Sequence, residues 1–277
     1  MSILLGIAAA ITIGLSDAFG RASSRRGQSS ATHVITQMLV GTIVALPFTL
    51  VVDSQLITRD LIFGALSGVF VALGLAAIYR AMADSSAAVT VPLAGVLAIL
   101  LPLIWDLASG ARLSSTAAVG SAVALVSLIF VSFDGTMDTS TLSRGLMLAV
   151  FGGFLFGLTF LFAGSTSPES GAWPAVMNRG FGLVGILAVA RAEGAQLTLA
   201  PSVRKFGIFG GIAGAIGMVA VIVGAQVGSL GIVSVLAGSS PAVTVVATSV
   251  FDEDRVSRLQ GLGIVGAMTG TALIALG

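Results

Sequence analysis

The stretch FGALSGVFVALGLAA at residues 63–77 returns as FGIFGGIAGAIGMVA at residues 206–220, a shift of 206 − 63 = 143 residues. The same ungapped shift aligns landmarks well outside these segments. Gly14-Leu15 and Phe19 fall on Gly157-Leu158 and Phe162, Leu93-Ala94-Gly95 falls on Leu236-Ala237-Gly238, and Arg112, Ser114 and Gly120 fall on Arg255, Ser257 and Gly263. Most other positions differ, so the constancy of the offset, not identity, marks a repeat over residues 1–134 and 144–277.

Of the 277 residues 56% are hydrophobic and 9% charged, with a mean hydropathy of +1.08. A soluble domain carries nearer a quarter charged residues, so lipid is the expected solvent. A net charge of +1 offers no basic face for a nucleic-acid backbone. With no cysteine and one histidine, disulfides, thiolate chemistry and the usual zinc sites are not expected, and no metal or cofactor is.

A bilayer core needs about 20 mostly apolar residues per helix. Ten such runs are readable, near 2–20, 31–52, 61–82, 86–107, 114–133, 144–163, 171–191, 204–227, 229–250 and 259–276. The first lacks a basic n-region beyond the amino terminus and reads as a transmembrane helix rather than a secretory signal. Five spans per half is an odd number, so the second copy enters the membrane from the opposite side. The expected fold is therefore all-α, with ten transmembrane helices as two inverted five-helix repeats, a plan that places a transported solute near the midplane between the halves. Gly64, Gly68 and Gly74, like Gly207, Gly211 and Gly217, stand at helical spacing and clear side chains from one face, which lets helices pack closely in lipid.

The chain resembles the drug/metabolite transporter superfamily in its ten-helix EamA-type branch. The best-matched part is GSLGIVSVLAGSSPAVTVVATSVFDEDRVSRLQGLGIVGAMTGTALIALG at residues 228–277: a small-residue helix, a proline, a helix ending in an acidic residue, a short loop and a glycine-punctuated last helix. Glu253 stands where the family carries a glutamate, although its counterpart in the first half is Gly110. Asn178 to Phe181 (NRGF) is similar to the family's arginine-aromatic pair, the first copy having Thr36-Gln37 instead, and the family's first-helix tryptophan-glycine pair is reduced to Ile13-Gly14. The resemblance implies fold and transport class, with export as the direction, the helices of spans 1–4 and 6–9 around the path, and spans 5 and 10 more peripheral.

Within the runs, Arg179 is the deepest charge; an arginine at a helix centre costs about 2.5–3.5 kcal/mol unless it faces protein, water or a counter-charge. It reads either as a fixed cation for an anionic part of the solute or as a structural partner of an acid or of helix carbonyls. Asp17 reads first as an interfacial acid paired with Arg21, and alternatively as a carboxyl coupling proton movement to transport. The amides of Gln37, Asn178 and Gln226 are disfavoured in lipid and make cavity candidates, joined by Tyr79. Gly238-Ser239-Ser240-Pro241 is expected to weaken its helix, which adds Ser239 and Ser240 to the candidate solute contacts. Pro92 and Pro102 read as kinks, Trp105 and Trp173 as interfacial aromatics, Arg80 and Asp84 as a helix-end pair, and His33 as a solvated interfacial histidine.

Gly261-Leu262-Gly263-Ile264-Val265-Gly266 satisfies G-x-G-x-x-G but follows the charged loop FDEDRVSRLQ rather than a strand, so it reads as helix packing. No nucleophile, base and oxyanion set is apparent, and an enzyme is not expected. The function expected is secondary transport of a small polar or amphipathic metabolite by alternating access, in a bacterial plasma (inner) membrane, with membrane lipids as the other partner. The rivals are a lipid or lipid-linked-carrier flippase and a non-transporting scaffold or sensor. Arginines and Lys205 concentrate in the loops after odd-numbered spans, which by the positive-inside rule puts both termini outside, whereas the resemblance implies termini in the cytoplasm. Substrate, coupling ion and oligomeric state are not legible.

Overall fold

The computed structural model describes residues 1–26, 30–84, 87–132, 142–194, 201–251 and 257–276. They form twelve α-helices: α1 (Ser2–Arg25), α2 (Ser30–Ala45), α3 (Phe48–Val51), α4 (Thr58–Asp84), α5 (Ala87–Ala108), α6 (Ser115–Ser132), α7 (Leu142–Gly164), α8 (Trp173–Ala192), α9 (Pro201–Gln226), α10 (Leu230–Ala237), α11 (Ser240–Phe251) and α12 (Arg258–Leu276). Seven stretches are helical, long and apolar enough to cross a membrane, and segments of α5 and α6 form two shorter apolar helices. The chain is an all-helical protein with the build of an integral membrane protein. Large apolar side chains, among them Leu50, Val51, Met147, Val184, Leu262 and Met268, are exposed, as on a lipid-facing surface.

Two apolar runs are broken. The chain leaves α2 at Ala45 and resumes at Phe48 after Pro47, which has no N–H to continue the ladder. The second break, between Ala237 and Ser240, falls on the Gly-Ser-Ser-Pro segment that the sequence marks as weak. Pro92 and Pro102 do not interrupt α5.

The helices close into a ring. Along it, α4 packs on α8, α8 on α2, α2 on α9, α9 on α1, α1 on α10 and α11, α10 on α5, α5 on α7, and α7 back on α4; α6 and α12 pair with each other outside it. Close contacts give each pair a direction. The pair α4 and α8 is parallel, with Gly64 against Pro174 and Gly185 against Ala72, and α2 and α9 are likewise parallel, with Gly207 against Thr36 and Gly211 against Val40. By contrast α1 and α9 are antiparallel, from Gly224 against Leu5 to Phe19 against Phe209, as are α4 and α7, from Phe63 against Phe162 to Gly152 against Ile78.

Glycine makes the central seams possible. A Cβ on Gly68 would collide with the backbone of Asn178 and Gly182, and one on Gly211 would stand 2.7 Å from Val40 Cβ and 2.8 Å from Gln37 O. Backbone cannot yield as a side chain tip can, so both positions exclude any other residue without moving a helix. The glycines of the G-x-G-x-x-G run lie on the single helix α12, where Gly266 packs on Ser127. We expect Gly68→Leu to destabilise the protein by about 1–3 kcal/mol, an overpacking cost. Gly261→Leu, where an added Cβ meets nothing within 4 Å, should melt within a degree or two of the parent. Thermal melting in detergent compares the two.

Candidate functional site

Three helices of the ring bring polar groups to one level. From α1, Ser16 donates to the carbonyl of Gly210 at 2.8 Å and accepts from Gln37 Nε2 of α2 at 2.6 Å. From α8, Arg179 donates through Nη2 to the carbonyl of Gly214, while Nη1 lies 3.7 Å from Met38 Sδ. The arginine is 5% exposed, and its Nε has no partner among the described residues. Glycine on α9 allows this, because a Cβ at Gly214 would stand 3.0 Å from Ser16 Oγ and 3.4 Å from Gln37 Nε2.

Asp17 follows Ser16 and has a different surrounding: it is exposed, although both its neighbours Ser16 and Ala18 are buried. At 100° per residue it lies about 120–140° around α1 from the outward-facing Ile11 and Leu4, on the side that meets α10 and α11. Gly6 and Gly14 mark that side, and Thr12, Ser16 and Phe19 mark the side that meets α9. Asp17 therefore points away from the outward-facing side of α1. The charge that acts on it is the Arg179 guanidinium, which attracts it without a direct ion pair. The charge that bears on Asp17 is thus the interior Arg179 rather than the expected Arg21.

The other candidates separate. Asn178 is fully buried and donates to Ser67 Oγ at 2.8 Å, tying α8 to α4, with its Oδ1 unpartnered among the described residues. Gln226 is twelve residues beyond Gly214, about 18 Å along α9. There it donates to Thr166, Ser170 and the Gly171 carbonyl, holding the turn before α8. Ser239 donates to the Val235 carbonyl at 3.2 Å, and Ser240 lies buried against Gly14, where Thr244 donates to the Gly14 carbonyl. These two serve the α10–α11 break and its seat on α1. The side chains of Tyr79, Arg80, Asp84 and Glu253 lie outside the described residues.

His33 departs from the expected solvated position. It is 5% exposed beside Gly20 and Gly210, and neither ring nitrogen has a partner among the described residues. Its helix-start position suggested an interface; the close approach of α1 and α9 covers it. The sequence also gave no sign that Ser16 matters, since a lone serine in an apolar helix usually bonds back to its own turn.

Among the described residues no three His, Cys, Asp or Glu side chains group as metal ligands. No family model matches the chain, and no curated protein matches it. Among solved structures, one described only as "Crystal structure of protein" is similar in fold, with a TM-score of 0.76 at 17% identity, covering 99% of this chain and 98% of that one. At that identity the likeness carries the fold alone.

Ser16 is the joint between α1, α2 and α9. Ser16→Ala is expected to cost about 1–3 kcal/mol by leaving the Gln37 amide unpaired. Adding Gln37→Leu to Ser16→Ala should cost less than the two single changes summed, a coupling readable in a double-mutant melting cycle.

Proposed function

We propose that this protein is a secondary transporter that moves a small polar or amphipathic solute by alternating access, built from ten spans as two inverted five-helix repeats. The observation that carries the reading is an acid, Asp17, set within a ring of apolar helices, turned from the outward-facing side of α1 and within electrostatic reach of the buried Arg179. A charge so placed is costly unless the space it faces holds water or a solute, and intramembrane ionisable groups mark such paths.

The repeat architecture draws support from paired contacts. Gly74 meets Leu155 as Gly217 meets Thr12, and Gly14 meets Val243 as Gly157 meets Leu101, each pair related by the offset of 143 within a residue. The antiparallel and parallel contacts make α1 and α7, α2 and α8, and α4 and α9 run in opposite senses, which an inverted repeat demands. Membership of the drug/metabolite transporter superfamily, residence in a bacterial inner membrane and export remain parts of the same proposal, resting on the sequence motifs.

Within this reading Asp17 and Arg179 divide the work. Arg179 is buried with both terminal nitrogens engaged, so it acts as a fixed counter-charge and as a clamp between α8 and α9. Asp17 is the charge offered to a proton or to a donor or cationic group of the solute. Losing a charge-assisted contact of about 1.5–3 kcal/mol weakens solute binding about 10–100-fold. Counterflow in proteoliposomes, run against amines, amino acids, organic acids and nucleosides, should show that loss in Asp17→Asn for whichever solute moves. Unchanged exchange in Asp17→Asn, or no exchange of any solute by the parent protein, would overturn the assignment.

A further inference from the structure

Neighbouring helices of the ring alternate between the two parts of the sequence. In the order α4, α8, α2, α9, α1, α10 with α11, α5 and α7, each helix from residues 1–134 stands between helices from residues 144–277. Shifting the sequence by 143 divides the ring in another way. The shift carries α2 onto α8, α4 onto α9, α1 onto α7, and α5 onto α10 with α11. At two places a helix meets its own counterpart. The first is α2 against α8, where Met38 packs on Gly182 and falls under the shift on Phe181; the second is α5 against α10, where Ile99 packs on Gly238 and Leu103 on Gly231. These joints cut the ring into two arcs, one of α2, α9, α1, α10 and α11 and the other of α8, α4, α7 and α5. The shift relates each member of one arc to a member of the other.

Within an arc the seams set backbone on backbone. In the first, Gly211 packs on the Gln37 carbonyl and Gly14 on the Ser240 carbonyl, while Ser16 and Thr244 bond α1 to α9 and α11. The second follows the same plan, with Gly68 on the Asn178 backbone, Gly153 on Ala94 Cα, and Asn178 bonded to Ser67. There Asp60 also accepts from the Ser167 N–H at 2.9 Å, tying α4 to the turn before α8. The joints are made chiefly by side chains: Met38 and the Arg179 stem at one, Ile99 and Leu103 at the other. Side chains of this kind can re-pack where interlocked backbones cannot.

We infer that the moving bodies of this protein are the two arcs, each drawn from both parts of the sequence, and that they rock on the α2–α8 and α5–α10 joints while the seams inside each arc hold. The inference rests on the transport reading for the use of that motion, and it replaces a rocking of one repeat against the other. Arg179 stands at the first joint, so its bond to Gly214 links the bodies where they move least. Bonds between the arcs farther from a joint part instead. One runs from Ser229 to Asp106, about 10 Å beyond Ile99 along α5.

The chain has no cysteine, so pairs can be introduced without a background. Leu5→Cys with Gly224→Cys joins α1 to α9 inside one arc, and Gly74→Cys with Leu155→Cys joins α4 to α7 inside the other, where a Cβ on each glycine would stand 3.2 Å and 3.5 Å from its partner's. Both disulfides tie the first part of the sequence to the second. After oxidation each should keep counterflow in proteoliposomes within about twofold of its reduced form, because the seam it closes does not move. Asp106→Cys with Ser229→Cys joins the arcs, and its oxidation should lower exchange about tenfold or more, reversed by reduction. Loss of exchange on oxidising both within-arc pairs, or full exchange through the oxidised pair between arcs, would overturn the inference. A parent that exchanges no solute removes the transporter, and spin labels then test the arcs alone. The exposed Ile11 and Phe209 lie in one arc and their counterparts Phe154 and Leu66 in the other. The pairs Ile11 with Phe209 and Phe154 with Leu66 should give matching narrow distances, and Ile11 with Phe154 a broader one; equal widths in that protein would sink the two-arc division.

Discussion

Helices in lipid gain little from hiding apolar side chains from one another, because the solvent is as apolar as they are. Association must come from packing at short range and from polar contacts, and both need the backbones to approach. Gly68 against Asn178 and Gly182, and Gly211 against Gln37 and Val40, supply that approach for the four helices at the middle of the ring. The same contacts decide which polar residues become internal. Asn178 and Gln37 lie where glycine has removed the neighbour's side chain, so their amides are pressed onto other helices instead of lipid.

On α9 the glycines have a second effect. A helix carbonyl is normally screened by side chains around it, but at Gly210 and Gly214 it is open to a second donor. Ser16 takes one and Arg179 the other. An arginine can therefore stay buried without a carboxylate in direct contact, and Asp17 is not consumed by an ion pair with it. A direct pair between the two would satisfy both charges; in the proposed transporter, their separation leaves Asp17 free for a solute or a proton.

The proposed symmetry and the chemistry laid over it are different layers of design. Backbone packing follows the 143 offset at several glycines, while the residues that tie the ends do not. Asp60 and Asp106 reach serines and backbone N–H groups whose counterparts recur without the carboxylates.

Much of this architecture was legible in order along the chain. Apolar run lengths marked the helices, and Gly238 to Pro241 marked a break that occurs, because each depends on residues near one another in sequence. The break at Pro47 lay inside a run read as one helix, since a proline within an apolar stretch is compatible with a kink as well as a stop. What the sequence could not assign was apposition. Asp17 and Arg179 are far apart in the chain, and the nearer Arg21 looked the better partner; His33 looked solvated, and Gln226 looked like a cavity amide. Composition and periodicity say that a residue is in a helix and how polar it is, but the direction in which its side chain is satisfied depends on which backbone comes within about 3 Å of it, and only tertiary packing sets that.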